Sequence, residues 1–271
     1  MRASIITPTF NAVAHIDGCV ENVRGQGDVV LEHIIVDGGS TDGTIERTEA
    51  LQTAHPALRY IAGPDRGQSD ALNKGVAAAT GEIIGVLNVD DTYEPGAVAQ
   101  AAAHLRRLQA PAFVVGNCRL IDVASSGWNV PKDLRFPALM LGYDYAQWPN
   151  NPAAYFYHRT VHQHVGEYDV GDHYAMDLDF IFRCARKVTM RHVHAHWGNF
   201  YLHPGSKTFD DADGPARQRA LFDRFHAGLT DTERRDMDRI RAAKDRRLAL
   251  KARLKHVGAL RRLNELLFPV R

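Results

Sequence analysis

Carboxylates stand at the ends of apolar runs in this chain, the arrangement that brings charge to the mouth of a sheet. The run Val36-Asp37-Gly38-Gly39-Ser40-Thr41-Asp42-Gly43-Thr44 delivers an acid into a glycine turn. Its glycines let the backbone approach a ligand, and Ser40 or Thr41 can cap a following helix. Taken alone, the same residues also make an ordinary turn. Leu87-Asn88-Val89-Asp90-Asp91 ends in two adjacent carboxylates. A hard divalent cation carrying phosphate oxygens relieves the repulsion between them, although one acid could instead cap a helix beginning near Pro95. Asp65-Arg66-Gly67-Gln68-Ser69-Asp70-Ala71-Leu72-Asn73-Lys74-Gly75 reads as a polar loop entering a helix. Asp177 and Asp179, in Ala175-Met176-Asp177-Leu178-Asp179-Phe180, stand where acids favour a helix N-terminus. No GxGxxG follows a strand and no GxxxxGK[ST] is present, which excludes the dinucleotide fingerprint and the phosphate loop.

Histidines and aromatics give weaker signals. His192, His194 and His196 alternate, so a strand would carry all three imidazoles on one face. Nothing supplies the rest of a zinc site, and a polar strand face is the expectation. His162 and His164 say less. Trp148, Tyr155, Phe156 and Trp197 lie in a mixed region where aromatics are more often core than ligand platforms.

The elements that must position these groups alternate. Ser4 to Pro8 reads as a strand stopped by proline, followed by a helix over 11–24. A strand His33–Val36 precedes a helix Thr41–Thr53. A strand near Arg59–Ile61, a loop Pro64–Ser69, a helix Asp70–Ala79, a strand Ile83–Leu87 and a helix Pro95–Leu108 continue the series. Such alternation predicts an α/β fold with a mainly parallel, doubly wound sheet. Ligands bind beyond the carboxyl ends of such strands, where Thr7, Asp37, Asp65, Asp90 and Asp91 fall. From there to about Phe200 short strands and turns are expected, and from Thr230 a helix runs to Gly258. Residues 246–271 carry eight Lys or Arg against one acid, Glu265. Leu250, Leu254, Val257, Leu260, Leu263 and Leu267 form a stripe along it.

Composition sets the outer limits. The chain has 271 residues, 45% hydrophobic and 24% charged, with a formal charge of +1, and gives no global signal for nucleic acid. Cys19, Cys118 and Cys184 are odd in number and far apart, which predicts neither a disulfide framework nor a thiolate zinc site. No stretch of about 18 apolar residues predicts a membrane span, and no leader is read at Met1. A cytoplasmic protein is expected.

Taken together, the opening Thr7-Pro8-Thr9-Phe10-Asn11, the Asp37 turn, the Asp65–Gly75 run and Leu87-Asn88-Val89-Asp90-Asp91 resemble the family-2 glycosyltransferases of GT-A fold, in order and spacing. The resemblance covers about residues 3–208. It implies a Rossmann-like open sheet binding a nucleoside diphosphate sugar, with a contact surface drawn from Thr7, Pro8, Asp37, Asp65, Gln68, Asn73, Lys74 and Asp90. Within it, Asp37 and Asp65 lie near the base and Asp90 near the ribose. Asp91 takes Mn²⁺ or Mg²⁺, joined by His203 from Tyr201-Leu202-His203-Pro204-Gly205-Ser206-Lys207-Thr208. Asp177 falls at the position of the catalytic base, with Asp179 as the alternative because Met176 replaces the usual glutamate. The implied activity is inverting, non-processive transfer of one sugar to a glycan or lipid-linked acceptor; the QxxRW signature of processive synthases is absent.

The implied organisation is a catalytic domain over 1–229, with a nucleotide-sugar half (1–110) and an acceptor half (111–229), followed by a basic amphipathic helical extension (230–271). That extension is expected on an anionic membrane surface, packed on the domain, or in a homo-oligomer. The rival readings are a nucleotidyltransferase, against which the Pro8-Thr9-Phe10-Asn11 loop lacks the Gly-rich basic character, and a catalytically inactive sugar-nucleotide-binding protein, against which Asp177 stands.

Overall fold

The computed structural model describes residues 1–122, 125–142, 147–172, 175–204 and 213–256, with side chains to 252. Its first part is the expected series: β1 (Ala3–Thr9), α1 (Ile16–Arg24), β2 (Val30–Asp37), α2 (Thr44–Ala54), β3 (Leu58–Ala62), α3 (Gln68–Ala78) and β4 (Ile83–Val86). Then follow β5 (Thr92–Tyr93), α4 (Ala97–Leu105), β6 (Ala112–Asp122), β7 (Ser126–Asn129), α5 (Phe136–Leu139), β8 (Tyr155–His158), α6 (Val161–Val165), α7 (Met176–Lys187), β9 (Thr189–Leu202), α8 (Gly214–Ala227) and α9 (Asp231–His256). The described strands form one sheet in the order β3-β2-β1-β4-β8-β6-β9-β5, with β7 on β6.

β3, β2, β1 and β4 are mutually parallel, each joined to the next in sequence through a helix. Beyond β4 the sheet is mixed: β8 is antiparallel to β4 and to β6, β9 is parallel to β6, and β5 is antiparallel to β9. Two antiparallel steps restore direction, so β6 and β9 also end on the side where β1 and β4 end. β1 runs through Pro8 instead of stopping at it. Past Ile6 it pairs with β2 alone, so the missing proline N–H falls where β4 has already left.

The short strands expected over 111–200 are in fact dominated by two long ones. β6 hides its period because Ala112 to Cys118 are buried on both faces. β9 hides its length in a bulge, where His192 pairs with Val115 yet His196 pairs with Asn117. Opposite faces of β6 feed separate apolar layers. Phe113 and Val115 pack with Tyr155, Tyr157 and Phe180 under α7, while Ala112 and Val114 pack with α4 and Trp197. Cutting Phe180 or Phe182, both fully buried, to alanine would cost about 3–5 kcal/mol.

The end of the sheet remote from the acids is fastened by Glu32. Its carboxylate accepts from the Ser4 hydroxyl at 2.6 Å and from the Thr80 amide and hydroxyl at 2.7 Å each, and it pairs with Arg59. Burial alone would raise its pKa, but these donors hold it down at about 2. α9 is docked through its first half: Met237 and Ile240 are buried, Glu233 accepts from Arg186 Nε at 2.8 Å, and Arg186 stacks over Phe136 at 4.3 Å. Leu248 and Leu250 are exposed. Leu254, Val257, Leu260, Leu263 and Leu267 of the expected stripe lie beyond the described side chains.

Candidate functional site

The first strand-end acid is consumed by its own turn. Asp37 is fully buried; Oδ1 accepts from the Gly39 and Ser40 amides at 2.9 and 2.7 Å, and Oδ2 from the Ser40 and Thr9 hydroxyls at 2.6 and 3.2 Å. Gly39 takes φ +96°, which the glycine run makes possible. Asn11 locks the neighbouring loop to this turn: its amide donates to Ser40 Oγ at 2.7 Å and its Oδ1 accepts from the Thr41 amide at 2.9 Å. Thr7 has no exposed surface. Its hydroxyl lies 2.9 Å from His33 Nε2 and 3.7 Å from Cys19 Sγ, while Pro8 beside it is half-buried.

Asp65 rests directly on this turn. A Cβ added at Gly38 would fall 2.6 Å from Asp65 Oδ2, so the carboxylate occupies the space a side chain at 38 would need. Its Oδ1 accepts from the Gly67 amide at 2.8 Å. Gln68 Nε2 donates to Asn88 Oδ1 at 3.1 Å, joining this loop to the second pair of acids. Asn73 and Lys74 serve the chain itself. Asn73 exchanges two 2.9 Å bonds with the Tyr168 backbone, and Lys74 Nζ donates to Pro64 O at 2.9 Å and pairs with Asp70.

Asp90 and Asp91 part company sharply. Asp91 is buried, and both its oxygens are taken: Oδ2 accepts from Asn88 Nδ2 at 2.9 Å and Asn151 Nδ2 at 2.7 Å, Oδ1 from the Tyr201 amide at 3.1 Å. Burial, reinforced by the neighbouring Asp90 charge, raises its pKa to about 7 despite these donors. Asp90 is more open and meets His203, whose Nε2 stands 3.1 Å from its Oδ2. His203 Nδ1 lies 3.1 Å from the Pro204 carbonyl oxygen. The His203 pKa is raised, through that carbonyl first and the Asp90 carboxylate second, against the effect of burial. His15, before α1, stacks on His203 at 5.8 Å. A cleft of about 540 Å³ opens here, lined by Cys19, Val89, Asp90, Asp91, Tyr201 and His203 among others.

Asn151 was invisible as a site residue from sequence. Its Oδ1 caps the 3₁₀ turn Pro152–Ala154 by accepting from the Ala153 amide at 2.7 Å, which turns its Nδ2 to Asp91. Only the Asn-Pro pair hinted at a cap, and nothing local announced a partner sixty residues away.

The two acids of α7 also separate. Asp177 lies in the first turn, half-buried, with the Tyr155 hydroxyl donating to its Oδ1 at 3.4 Å. Asp179 is buried between two guanidiniums, accepting from Arg183 Nε at 2.7 Å and pairing with Arg224 of α8. The three alternating histidines lie opposite Val193, Ala195 and Trp197, which pack into the α4 layer, so they share one strand face while their rings turn to separate surroundings. His192 Nε2 bonds Asn117 Oδ1 at 2.8 Å, His196 Nε2 lies 3.0 Å from Asn199 Oδ1, and His194 is exposed. Trp148, Tyr155, Phe156 and Trp197 are all buried.

Residues 4–166, more than half of the chain, match the family described as glycosyl transferase family 2. A PGL/p-HBAD biosynthesis glycosyltransferase of Mycobacterium bovis is 30% identical over 185 residues, covering 67% of this chain and 68% of that protein. A chondroitin synthase of Escherichia coli is 35% identical over 132 residues, covering 47% of this chain, which spans only 19% of that larger protein. An uncharacterised glycosyltransferase of Nostoc is 30% identical over 163 residues, and the chain spans 51% of it. In fold, the chain superposes on S. aureus TarS 1–349 in complex with UDP-GlcNAc with a TM-score of 0.62, at 15% identity over 82% of this chain and 65% of that one. The sheet with its acids at the strand ends is therefore a GT-A fold, and the chain belongs to glycosyl transferase family 2.

Proposed function

We propose that the chain transfers one sugar from a nucleoside diphosphate sugar, uridine diphosphate sugars foremost, to an acceptor hydroxyl with inversion, in the synthesis of a cell-surface glycan or glycolipid. The names of the mycobacterial and E. coli relatives and the UDP-GlcNAc complex of TarS support that choice.

The observation that carries the metal dependence is the Asp90–His203 pair. His203 Nδ1 faces a carbonyl oxygen, so the ring proton belongs there, and a neutral His203 then turns its Nε2 lone pair toward a carboxylate oxygen 3.1 Å away. Two acceptors aimed at one point need a proton or a cation between them. An imidazole with a carboxylate suits Mn²⁺ and, through the oxygen, Mg²⁺. Asp90 and His203 are thus assigned to the cation. Asp91, with both oxygens held by amides, is assigned to shaping the Asn88–Asp91 turn, so the cation passes from Asp91, where the resemblance puts it, to Asp90. When bound, the cation would offset charge growing on the departing diphosphate.

Asp65 and Gln68 are assigned to the nucleoside end, with Pro8 beside them. Asp37, Thr7, Asn73 and Lys74 act behind them, holding the loops in place. Asp177 accepts the proton of the acceptor hydroxyl while that oxygen attacks the anomeric carbon opposite the leaving group, which inverts the centre. Asp179 is assigned to the ion cluster joining α7 to α8.

A thermal-shift screen of UDP-, GDP- and dTDP-sugars with and without Mn²⁺, followed by assay of donor hydrolysis, tests the reading. Stabilisation by one nucleotide series only with the cation is expected; no stabilisation by any donor would overturn it. We also propose that the basic segment from Arg246 attaches to an anionic membrane surface, since each Lys or Arg there adds about 1 kcal/mol. Among the described residues no helix is long and apolar enough to cross a membrane. Co-sedimentation with anionic but not neutral vesicles, weakened by salt, is the expected result, and equal recovery with both would refute attachment.

A further inference from the structure

Of the three tryptophans, Trp148 and Trp197 are core, and Trp128 on β7 is 52% exposed. A single exposed tryptophan is ordinary. This one is held and placed. Its ring meets His196 edge-on at 4.8 Å, and His196 is itself fixed by Asn199 Oδ1 at 3.0 Å from its Nε2. Asn199 in turn donates to Thr92 Oγ1 at 3.2 Å and to Glu94 at 2.7 Å, so the tryptophan is braced, through three side chains, against the strand that follows Asp91.

Placement follows from the pleat. Odd-numbered residues of β6 face the α7 layer: Phe113 and Val115 pack there, and Asn117 and Arg119 continue the same face toward the strand end. Trp128 pairs with Arg119 across the β6–β7 ladder, and paired residues share a face. Trp128 therefore belongs to the face that carries Tyr155 and its partner Asp177, but lies two steps along the strand from Val115, where the ring is exposed. The exposed Arg119, its partner across the ladder, and His196 border it, and His192, bonded to Asn117, lies further along the same face. A flat apolar ring bordered by an arginine and imidazoles matches one chemistry well: a pyranose, whose axial C–H face packs on the indole while its hydroxyls reach the polar rim.

We propose that Trp128 is the stacking platform for the acceptor carbohydrate, binding a sugar residue of the acceptor outside the donor pocket. This rests on the glycosyltransferase reading and adds the class of acceptor to it: a chain that ends in sugar rather than a bare lipid or a protein hydroxyl.

The test uses the full chain, Trp128→Ala and Trp128→Phe on an immobilised array of defined oligosaccharides with neutral, amino-sugar and uronic-acid ends, in parallel with calorimetric UDP binding in Mn²⁺. The expected result is binding to at least one class of glycan, weakened 10-fold or more by Trp128→Ala and largely restored by Trp128→Phe, with UDP affinity unchanged in all three proteins. No glycan bound by the parent chain, glycan binding unaltered by Trp128→Ala, or joint loss of glycan and UDP binding would each overturn the platform. Failure of the parent chain to bind UDP, with glycan binding intact, would instead strike the donor reading.

Discussion

The Asp37 turn and the Asp91 turn look alike in sequence, each an acid closing an apolar strand, but they are built from different distances. Among the described residues every hydrogen bond to the Asp37 carboxylate comes from Gly39, Ser40 or the adjacent strand residue Thr9. Asp91 keeps one local donor, Asn88, and takes the others from Asn151 and Tyr201, which belong to the second half of the chain. The first turn can form as soon as β1 and β2 pair. The second is complete only when β9 and the segment before β8 have docked, so the geometry around Asp90 and Asp91 depends on residues beyond 110 even though both acids lie before it.

The largest effect that bears on this contrast lies at α7. Asp177→Asn should lower turnover about 10²–10⁴-fold with donor affinity unchanged by calorimetry. Asp179→Asn, by loosening the Arg183–Arg224 cluster, should lower the melting temperature while the folded enzyme keeps its rate; the opposite outcome would transfer the base to Asp179. Chelation comes next: EDTA should abolish transfer reversibly, and Asp90→Asn or His203→Ala should weaken Mn²⁺-dependent donor binding more than Asp91→Asn does. Full activity in chelator would remove the cation from the mechanism.

A smaller effect sets the two turns side by side. Asn151→Ala leaves buried Asp91 short of a donor and should cost about 1–3 kcal/mol, together with a loss of Mn²⁺ affinity. Ser40→Ala should cost about 0.5–1.5 kcal/mol and leave Mn²⁺ affinity alone. If both variants alter metal binding equally, the turns are not independent. The smallest effect is acid sensitivity at β2. Burial lowers the His33 pKa from 6.5 to about 3, so on acidification the unfolded chain takes up this proton first and stability falls as pH drops below 6.5. Between pH 6.5 and about 5.5 the loss should approach about 1 kcal/mol, and His33→Gln should flatten that stretch of a denaturant-melt series. The Glu32 clamp behaves as a depressed acid, its contribution present above about pH 4.5 and lost toward pH 2.

What was legible in the sequence follows the same division. The β-α units through β4 have local signatures, apolar runs ended by Asp37-Gly38-Gly39-Ser40 and by Asn88-Val89-Asp90-Asp91, and the structure reproduces them within a few residues. β9 was not legible as one strand, because a bulge slips its register against β6 between His192 and His196. Neither was the difference between Asp90 and Asp91, since burial of one neighbour and exposure of the other is decided by Asn151 and Tyr201. Asn73 and Lys74 lie in the matching motif, yet they are bound to the Tyr168 backbone and to Pro64 O, partners no spacing rule could reveal; only the i,i+4 pairing of Lys74 with Asp70 on α3 follows from spacing.

Gly38 and Asp65 carry a consequence for descent. Because the Asp65 carboxylate fills the volume a Cβ at 38 would claim, a lineage cannot gain a side chain at 38 while keeping that acid where it is. Nor does it gain anything from the bare glycine once residue 65 has shortened. Across relatives the two positions should therefore drift as a couple, each substitution at one conditioning which substitutions survive at the other.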